Sequence, residues 1–348
     1  MERGRRVDRV RHLPPMTRPP TALALRAAVV AVVVAAVGSV SVDRAAFTDA
    51  TSNAGSSAAA AASFAALRVA SGSYVGDGVD GRSVAVGFQP DVVIVKAVTA
   101  DEAVIRTSAM VGDATKPAGN GGTPAANLVE SLGATGFTVG TDVRVNASAT
   151  TYHWTAWKAA PGELVVGSYV GIGGSQTISG LGLAPIAVLV GADANDEWNI
   201  RMSGMTAAYQ LDNEGGNTNR ITSLDVDGFS VGSSAQANGN GKTYFYVAVG
   251  AVPGTSAVLG WVGDGSSPRS VLGAGFTPGV AIVRADANRR VNWRTSAMSG
   301  LMSLPMDADT SLADALLGLV SDGVTVGSGQ DVNANTEDIA ALVLRQTG

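Results

Sequence analysis

The side chains that carry most enzyme and metal chemistry are scarce in this sequence. Its 348 residues include no cysteine and two histidines, His12 and His153, which excludes disulfide scaffolds, thiolate metal sites and cysteine nucleophiles. No HExxH motif or P-loop is present, and no GxSxG motif stands beside a usable histidine. A two-carboxylate glycosidase needs no histidine, but the acids here lie in glycine-rich turns. We therefore predict a non-catalytic protein without a cofactor.

Arginine recurs in one short motif. Arg106, Arg201 and Arg294 are each followed by serine at the second position and methionine at the fourth. A guanidinium at this place could bind a carboxylate or a phosphate, which makes Arg106 a candidate ligand-binding residue. Alternatively, the arginine braces backbone carbonyls while the methionine fills the core. Recurrence in three places favours the second interpretation, because a requirement of the fold repeats whereas a specialised site need not.

Aromatic residues form a second candidate site. Tyr152, His153, Trp154 and Trp157 fall within one expected strand, Tyr152 to Lys158. Coplanar exposed aromatics bind the faces of sugars, so Tyr152, Trp154 and Trp157 are candidate ligand-binding residues. The alternative is that they pack in the core, as we expect for the other three tryptophans.

An acidic turn, DANDE, offers closely spaced oxygen ligands. Asp193, Asn195 and Asp196 are therefore calcium candidates in this turn. The matching turn further along the chain carries Arg289 and Arg290, which would repel the ion. We expect a solvated hairpin tip and no metal, with calcium at 193–196 as the alternative.

The strongest pattern is an internal repeat. GSYVGDG at 72–78 recurs as GSYVGIG at 167–173 and as LGWVGDG at 259–265. GFTVG, GFSVG and GVTVG recur as well, each with an asparagine six residues past its last glycine: Asn146, Asn238 and Asn333. Units of roughly 92 residues are long enough to bury a core of their own, unlike the repeats of solenoids. We therefore predict three beads rather than one continuous domain, and the repeats could either pack together or stay independent.

Each unit is rich in strand signals. The run Val92 to Val95 follows Pro90, and proline is tolerated at the start of a strand. The 44 glycines and the charged fraction of 15% fit many tight turns between apolar strands. Pro124 to Leu132 and Ser311 to Leu319 are either a short helix or a strand. The predicted fold class is all-β, with three tandem β-sandwich or jelly-roll-like repeats.

The N-terminal region carries a different signal. Residues 1–26 contain seven arginines and two acidic residues, so this segment carries +5 and the remainder −10 of a net charge of −5. An apolar run at 27–42 follows, and a basic segment before an apolar run indicates an export signal, with a retained anchor as the alternative. The negative remainder argues against nucleic-acid binding.

Two resemblances extend these predictions. The sequence AAFTD at 45–49 resembles the region after the signal in proteins processed by a SipW-type peptidase, such as TasA-like and camelysin-like proteins. That resemblance implies export, with cleavage close to Ala46. The strand GFQPDVVIVK at 87–96 resembles the GFxPDxVxxK pattern of β repeat domains in phage tail proteins and secreted actinobacterial proteins, which implies a binding or structural module.

The predicted organisation is an export signal at 1–46, an Ala/Ser-rich linker at 47–69, and repeats at 70–161, 162–253 and 254–348. We predict a secreted or cell-surface structural and adhesive protein. Its partner would be a cell-envelope or extracellular glycan or protein, and it would meet a membrane only through an uncleaved N-terminal segment. A carbohydrate-binding protein and a self-associating, fibre-forming matrix subunit are the alternatives.

Overall fold

The computed structural model describes residues 66–119, 121–312 and 314–347. The predicted export signal and most of the predicted linker lie outside these residues. No helix of the described part is long and apolar enough to cross a membrane.

Each repeat contains eight strands and one four-residue helix. Repeat one comprises β1 (Arg68–Val75), β2 (Arg82–Ala85), β3 (Val92–Ala97), β4 (Val104–Thr107), β5 (Lys116–Pro117), β6 (Val129–Gly133), β7 (Gly136–Val139), α1 (Val143–Asn146) and β8 (Thr151–Lys158). Repeat two comprises β9 (Leu164–Val170), β10 (Gln176–Ser179), β11 (Pro185–Ala192), β12 (Asn199–Met202), β13 (Tyr209–Gln210), β14 (Ile221–Asp225), β15 (Gly228–Val231), α2 (Ala235–Asn238) and β16 (Thr243–Gly250). Repeat three comprises β17 (Ser256–Val262), β18 (Arg269–Leu272), β19 (Val280–Ala285), β20 (Asn292–Thr295), β21 (Leu304–Pro305), β22 (Leu316–Val320), β23 (Gly323–Val326), α3 (Gln330–Asn333) and β24 (Asp338–Leu344).

The eight strands of each repeat form two antiparallel sheets. In repeat one a five-stranded sheet has the order β1-β8-β3-β4-β5, and a three-stranded sheet has the order β2-β7-β6. The other two repeats have the same arrangement. The predicted all-β class with three tandem sandwich modules is confirmed.

The five-stranded sheets are apolar on both faces. Every residue of β3 is buried, as the uninterrupted Val/Ile run predicts for a strand covered on both sides. In β8, Trp154 and Ala156 face the three-stranded sheet and form the repeat's own core. Trp157, three residues after Trp154, faces the opposite way and belongs to a second cluster.

That second cluster is shared by all three repeats. It unites Ile94 and Trp157 from repeat one, Trp198 from repeat two, and Trp293 and Leu342 from repeat three. The three repeats, as described over 66–347, accordingly belong to one compact unit. Of the two arrangements left open by the sequence, the repeats pack together, because the second apolar face of each five-stranded sheet is covered by the neighbouring repeats.

The short helices lie elsewhere than the sequence suggested. The segment at 124–132 contributes β6, and the segment at 311–319 contributes β22, so the strand alternative is confirmed at both places. The helices instead follow the GFTVG-type strands, where α1 begins after Asp142, whose side chain accepts a hydrogen bond from the Arg144 amide. Pairing with β7 and β23 outweighs the helix propensity of these alanine- and leucine-rich segments.

Candidate functional site

The predicted sugar platform is not on the surface. Trp154 is 6% exposed and Trp157 is fully buried. The Trp154 ring packs edge-on against Phe137, and the Trp157 indole N–H donates to the Thr155 hydroxyl (2.8 Å). Tyr152 is fully buried, where its hydroxyl donates to the Val143 carbonyl (2.5 Å). The interpretation of these aromatics as ligand contacts is wrong, because each five-stranded sheet has packing partners on both faces.

The recurrent arginines brace loops. The Arg106 guanidinium donates to the carbonyls of Ala114 and Gly112 (both 2.6 Å). Arg201 and Arg294 likewise donate to backbone carbonyls of the chain that follows them. The three methionines of the motif, Met110, Met205 and Met298, lie in the shared core. The bracing interpretation is confirmed, and Arg106, which is 5% exposed, has its terminal nitrogens engaged by backbone.

Two lysine side chains contact the acidic turn of repeat two. Asp196 pairs with the ammonium of Lys242 (2.6 Å), and Lys116 of repeat one donates to the Ala194 carbonyl (2.7 Å). Across the described ranges no group of three or more histidine and carboxylate side chains is placed to hold a metal ion. Of the calcium candidates, Asp196 is engaged in an ion pair within repeat two, and Asp193 and Asn195 are exposed.

His153 and Ser230 both lie within strands, β8 and β15. His153 is 5% exposed, and burial lowers its pKa below the usual value for histidine. Ser230 stands at the centre of the GFSVG sequence, but it lies inside β15 rather than on a strand-to-helix turn. Its hydroxyl donates to Asp225 (2.8 Å) and pairs with Thr177 across the strands (2.9 Å).

The recurrent asparagines clamp the loop after the first strand of each repeat. In repeat one the side-chain carbonyl of Asn146 accepts from the Asp77 amide (3.0 Å), and its amide nitrogen donates to the Val79 carbonyl (2.8 Å). Asn238 and Asn333 hold the corresponding loops in the same way, and all three are fully buried. The repeated spacing identified these residues, but only the structure shows what they bind.

Buried cations join the repeats in a ring. Lys96 of repeat one donates to the Asp309 carbonyl of repeat three (2.9 Å). The equivalent residue of repeat three, Arg284, donates to the carbonyls of Asp212 (2.7 Å) and Glu214 (2.6 Å) in repeat two. Burial lowers the pKa of Lys96 to about 8 and that of Arg284 to about 10.

In repeat two, a glycine stands at the position that carries the buried cation in the other two repeats. Register places Gly191 of repeat two opposite Phe245, as Lys96 lies opposite His153. A β-carbon at Gly191 would lie 2.5 Å from the ring of Trp198. The tryptophan thus occupies the space of the missing side chain, and Lys116 of repeat one makes the cross-repeat hydrogen bond from the opposite side.

A cavity of 340 Å³ lies between repeats two and three. Its lining includes the loop at 203–205 of repeat two, the carboxylate-bearing residues Asp286 and Asp338, and the small residues Gly260 and Ala340 of repeat three. Sequence reasoning missed this site, because its residues come from two repeats and four separate segments.

Similarity to known proteins places the chain in a family. No curated protein and no solved structure matches the chain. One family model matches residues 68–299, which is about two thirds of the chain and spans all of repeats one and two and the first half of repeat three. The chain belongs to the family described as Domain of unknown function (DUF7483).

Proposed function

We propose that this chain is an exported, non-catalytic structural and adhesive protein, displayed at the cell surface or secreted. The observation that carries the proposal is the shared core, which fuses three sandwiches of similar build into one body. A fused body holds its loops at fixed mutual distances, so weak contacts made by several loops can add up.

The position of the chain ends supports display from a tether. The Val69 amide donates to the Thr347 hydroxyl (2.9 Å), and the Thr347 amide donates to the Val69 carbonyl (3.0 Å). The described chain therefore starts and ends at one place. The clamped loop at 76–81 follows the far end of β1, about 23 Å away at 3.3 Å per residue.

The clamped loops have the properties of contact surfaces. Val79 in the first loop is 60% exposed, and Ile172 in the equivalent loop of repeat two is 55% exposed. Beside them, Asp77 pairs with Arg82 (2.9 Å) and Asp264 with Arg269 (3.3 Å). Rigid loops that present both apolar and charged groups suit recognition of an extracellular protein or glycan, because little ordering is needed on binding.

The alternatives have less support. The large exposed apolar side chains of the described residues are valine, leucine and isoleucine, so a carbohydrate-binding protein would lack the stacked aromatics on which that hypothesis depended. A fibre subunit would need the N-terminal segment to join a neighbour's sheet, and that segment lies outside the described residues.

Location is tested first, by labelling intact producing cells with an antibody and sequencing the N-terminus of the surface or secreted product. We expect external label and an N-terminus near Phe47. A product found only inside the cell, with its N-terminus uncut, would overturn the export part of the proposal.

Adhesion is tested with beads that carry the exported protein, applied to envelope from the producing cells. The double variant Val79→Ser and Ile172→Ser should reduce bead retention, because both loops lose their apolar contact. Val226→Ser is the matched control, since Val226 is 91% exposed but lies in the β14–β15 turn. Equal retention of all three proteins would contradict loop-mediated adhesion.

A further inference from the structure

The cavity between repeats two and three exists because one repeat lacks a side chain that the other two have. Strand register makes Ala340 equivalent to Phe245 in repeat two and to His153 in repeat one. Phe245 is 6% exposed and His153 is 5% exposed, so both rings are enclosed by the fold. Between repeats two and three, this position is Ala340, which has a methyl group in place of a ring.

The neighbouring positions are small too. Ala340 pairs with Gly260 across the strands, where the equivalent residues are Ser168 and Ser73. On the opposite wall Gly204 replaces an alanine found at the same place in the two other RxSxM motifs. Three reductions in size at one seam leave a space large enough for the ring of a small ligand.

The cavity carries negative charge. One oxygen of Asp286 accepts from the amide (3.0 Å) and the hydroxyl (2.6 Å) of Thr206. The other oxygen, Oδ1, is excluded from solvent and makes no hydrogen bond of good geometry among the described residues, although the Tyr209 hydroxyl lies within range of this carboxylate. Burial, with a contribution from this carboxylate, raises the pKa of the adjacent Tyr209 to about 12. Asp338, which is exposed, adds a second carboxylate to the lining.

The basic groups nearest to these carboxylates are engaged elsewhere. Arg201 donates to the carbonyls of Ile221 (3.0 Å) and Met205 (3.2 Å). Arg284 donates to the carbonyls of Asp212 and Glu214. Because neither guanidinium forms an ion pair with Asp286 or Asp338, a cation entering the cavity would meet carboxylates whose charge is not neutralised by direct contact.

We propose that this cavity binds a small organic cation, an ammonium or guanidinium group carried on an apolar body about the size of an aromatic ring. The apolar body takes the place that Phe245 and His153 fill at the other two seams, and the cation is held by the charges of Asp286 and Asp338, which both line the cavity. The site goes beyond the structural role proposed above and does not depend on export or adhesion.

The test is titration of the full chain with phenethylamine, followed by calorimetry and by shifts of the Ala340 methyl resonance. We expect binding with a dissociation constant on the order of 1 mM. The uncharged analogue 2-phenylethanol should bind about tenfold more weakly or less. No binding of phenethylamine, or equal binding of the alcohol, would overturn the proposal.

Two variants localise the site. Ala340→Phe restores the residue of repeat two and should abolish binding by filling the cavity, with Ala340→His as the second filling variant if the first fails to fold. Asp286→Asn should weaken binding about tenfold. The matched control is Asp193→Asn, at the equivalent position of repeat two, which should leave binding unchanged. Phenethylamine binding that persists in a folded Ala340 variant would refute the assignment.

Discussion

Trp293→Ala tests the shared core. Trp293 is fully buried and packs in the cluster to which all three repeats contribute. Removing a buried tryptophan side chain costs about 3–5 kcal/mol of unfolding free energy, from lost transfer energy and the cavity left behind. For a cooperative unit of this size each kcal/mol lowers the melting temperature by roughly 2–4 °C, so a fall on the order of 10 °C is expected.

The informative observation is which residues lose stability. If the core is shared, calorimetry should show one transition before and after the substitution, and amide protons of β3 and β11 should exchange faster although Trp293 lies in β20. Val84→Ala is a matched control, because Val84 packs only in the core of repeat one. A second, lower transition in Trp293→Ala, with unchanged exchange in repeats one and two, would refute the shared core and restore the model of independent beads.

Three further predictions follow from buried groups. Gly191→Ala should destabilise the fold by about 1–3 kcal/mol in chemical denaturation, because its β-carbon would overlap the Trp198 ring; an unchanged midpoint would contradict this packing. Asn146→Ala should increase proteolytic nicking at 76–81, since Asn146 holds that loop; equal nicking would contradict the clamp. Burial gives Lys96 and Lys116 a pKa of about 8 each, against 10.5 in the unfolded chain. The unfolded chain therefore binds more protons than the folded one between these values, and the free energy of unfolding should rise from pH 8 to pH 9. Lys96→Met should reduce that rise, and a flat pH profile in the unaltered chain would contradict the prediction.

The modules could be predicted from local pattern, whereas the association of the modules could not. The Val/Ile run of β3 and the glycine-bounded Phe137 to Val139 strand contain their own strand signals. The recurrence of Asn146, Asn238 and Asn333 at one spacing marked a structural residue before its partners were known. These features depend on contacts within about 92 residues, so each repeat reports them independently.

The sequence also contains a sign of the shared core. In β8 one face carries Tyr152, Trp154 and Ala156, and the other carries Thr155 and Trp157. A strand with large apolar residues on both faces needs cover on both sides. The alternation of residues shows that both faces of the strand must be covered, but not by what. A ligand could cover the second face, and so could a neighbouring repeat. The sugar hypothesis arose from that ambiguity, which long-range packing resolves.

Differences between the repeats carry more information about function than their similarities. The buried cations would follow threefold symmetry if residue 191 were basic. Instead, residue 191 is a glycine whose side-chain space is filled by Trp198, and Lys116 makes the hydrogen bond between repeats one and two. At the next seam Ala340 opens a cavity and nothing in the described chain fills it. The family match ends at 299 and so includes Asp286 but neither Asp338 nor Ala340. Membership in the family therefore accounts for only part of this seam, and the cavity must be tested on the last strand of this chain itself.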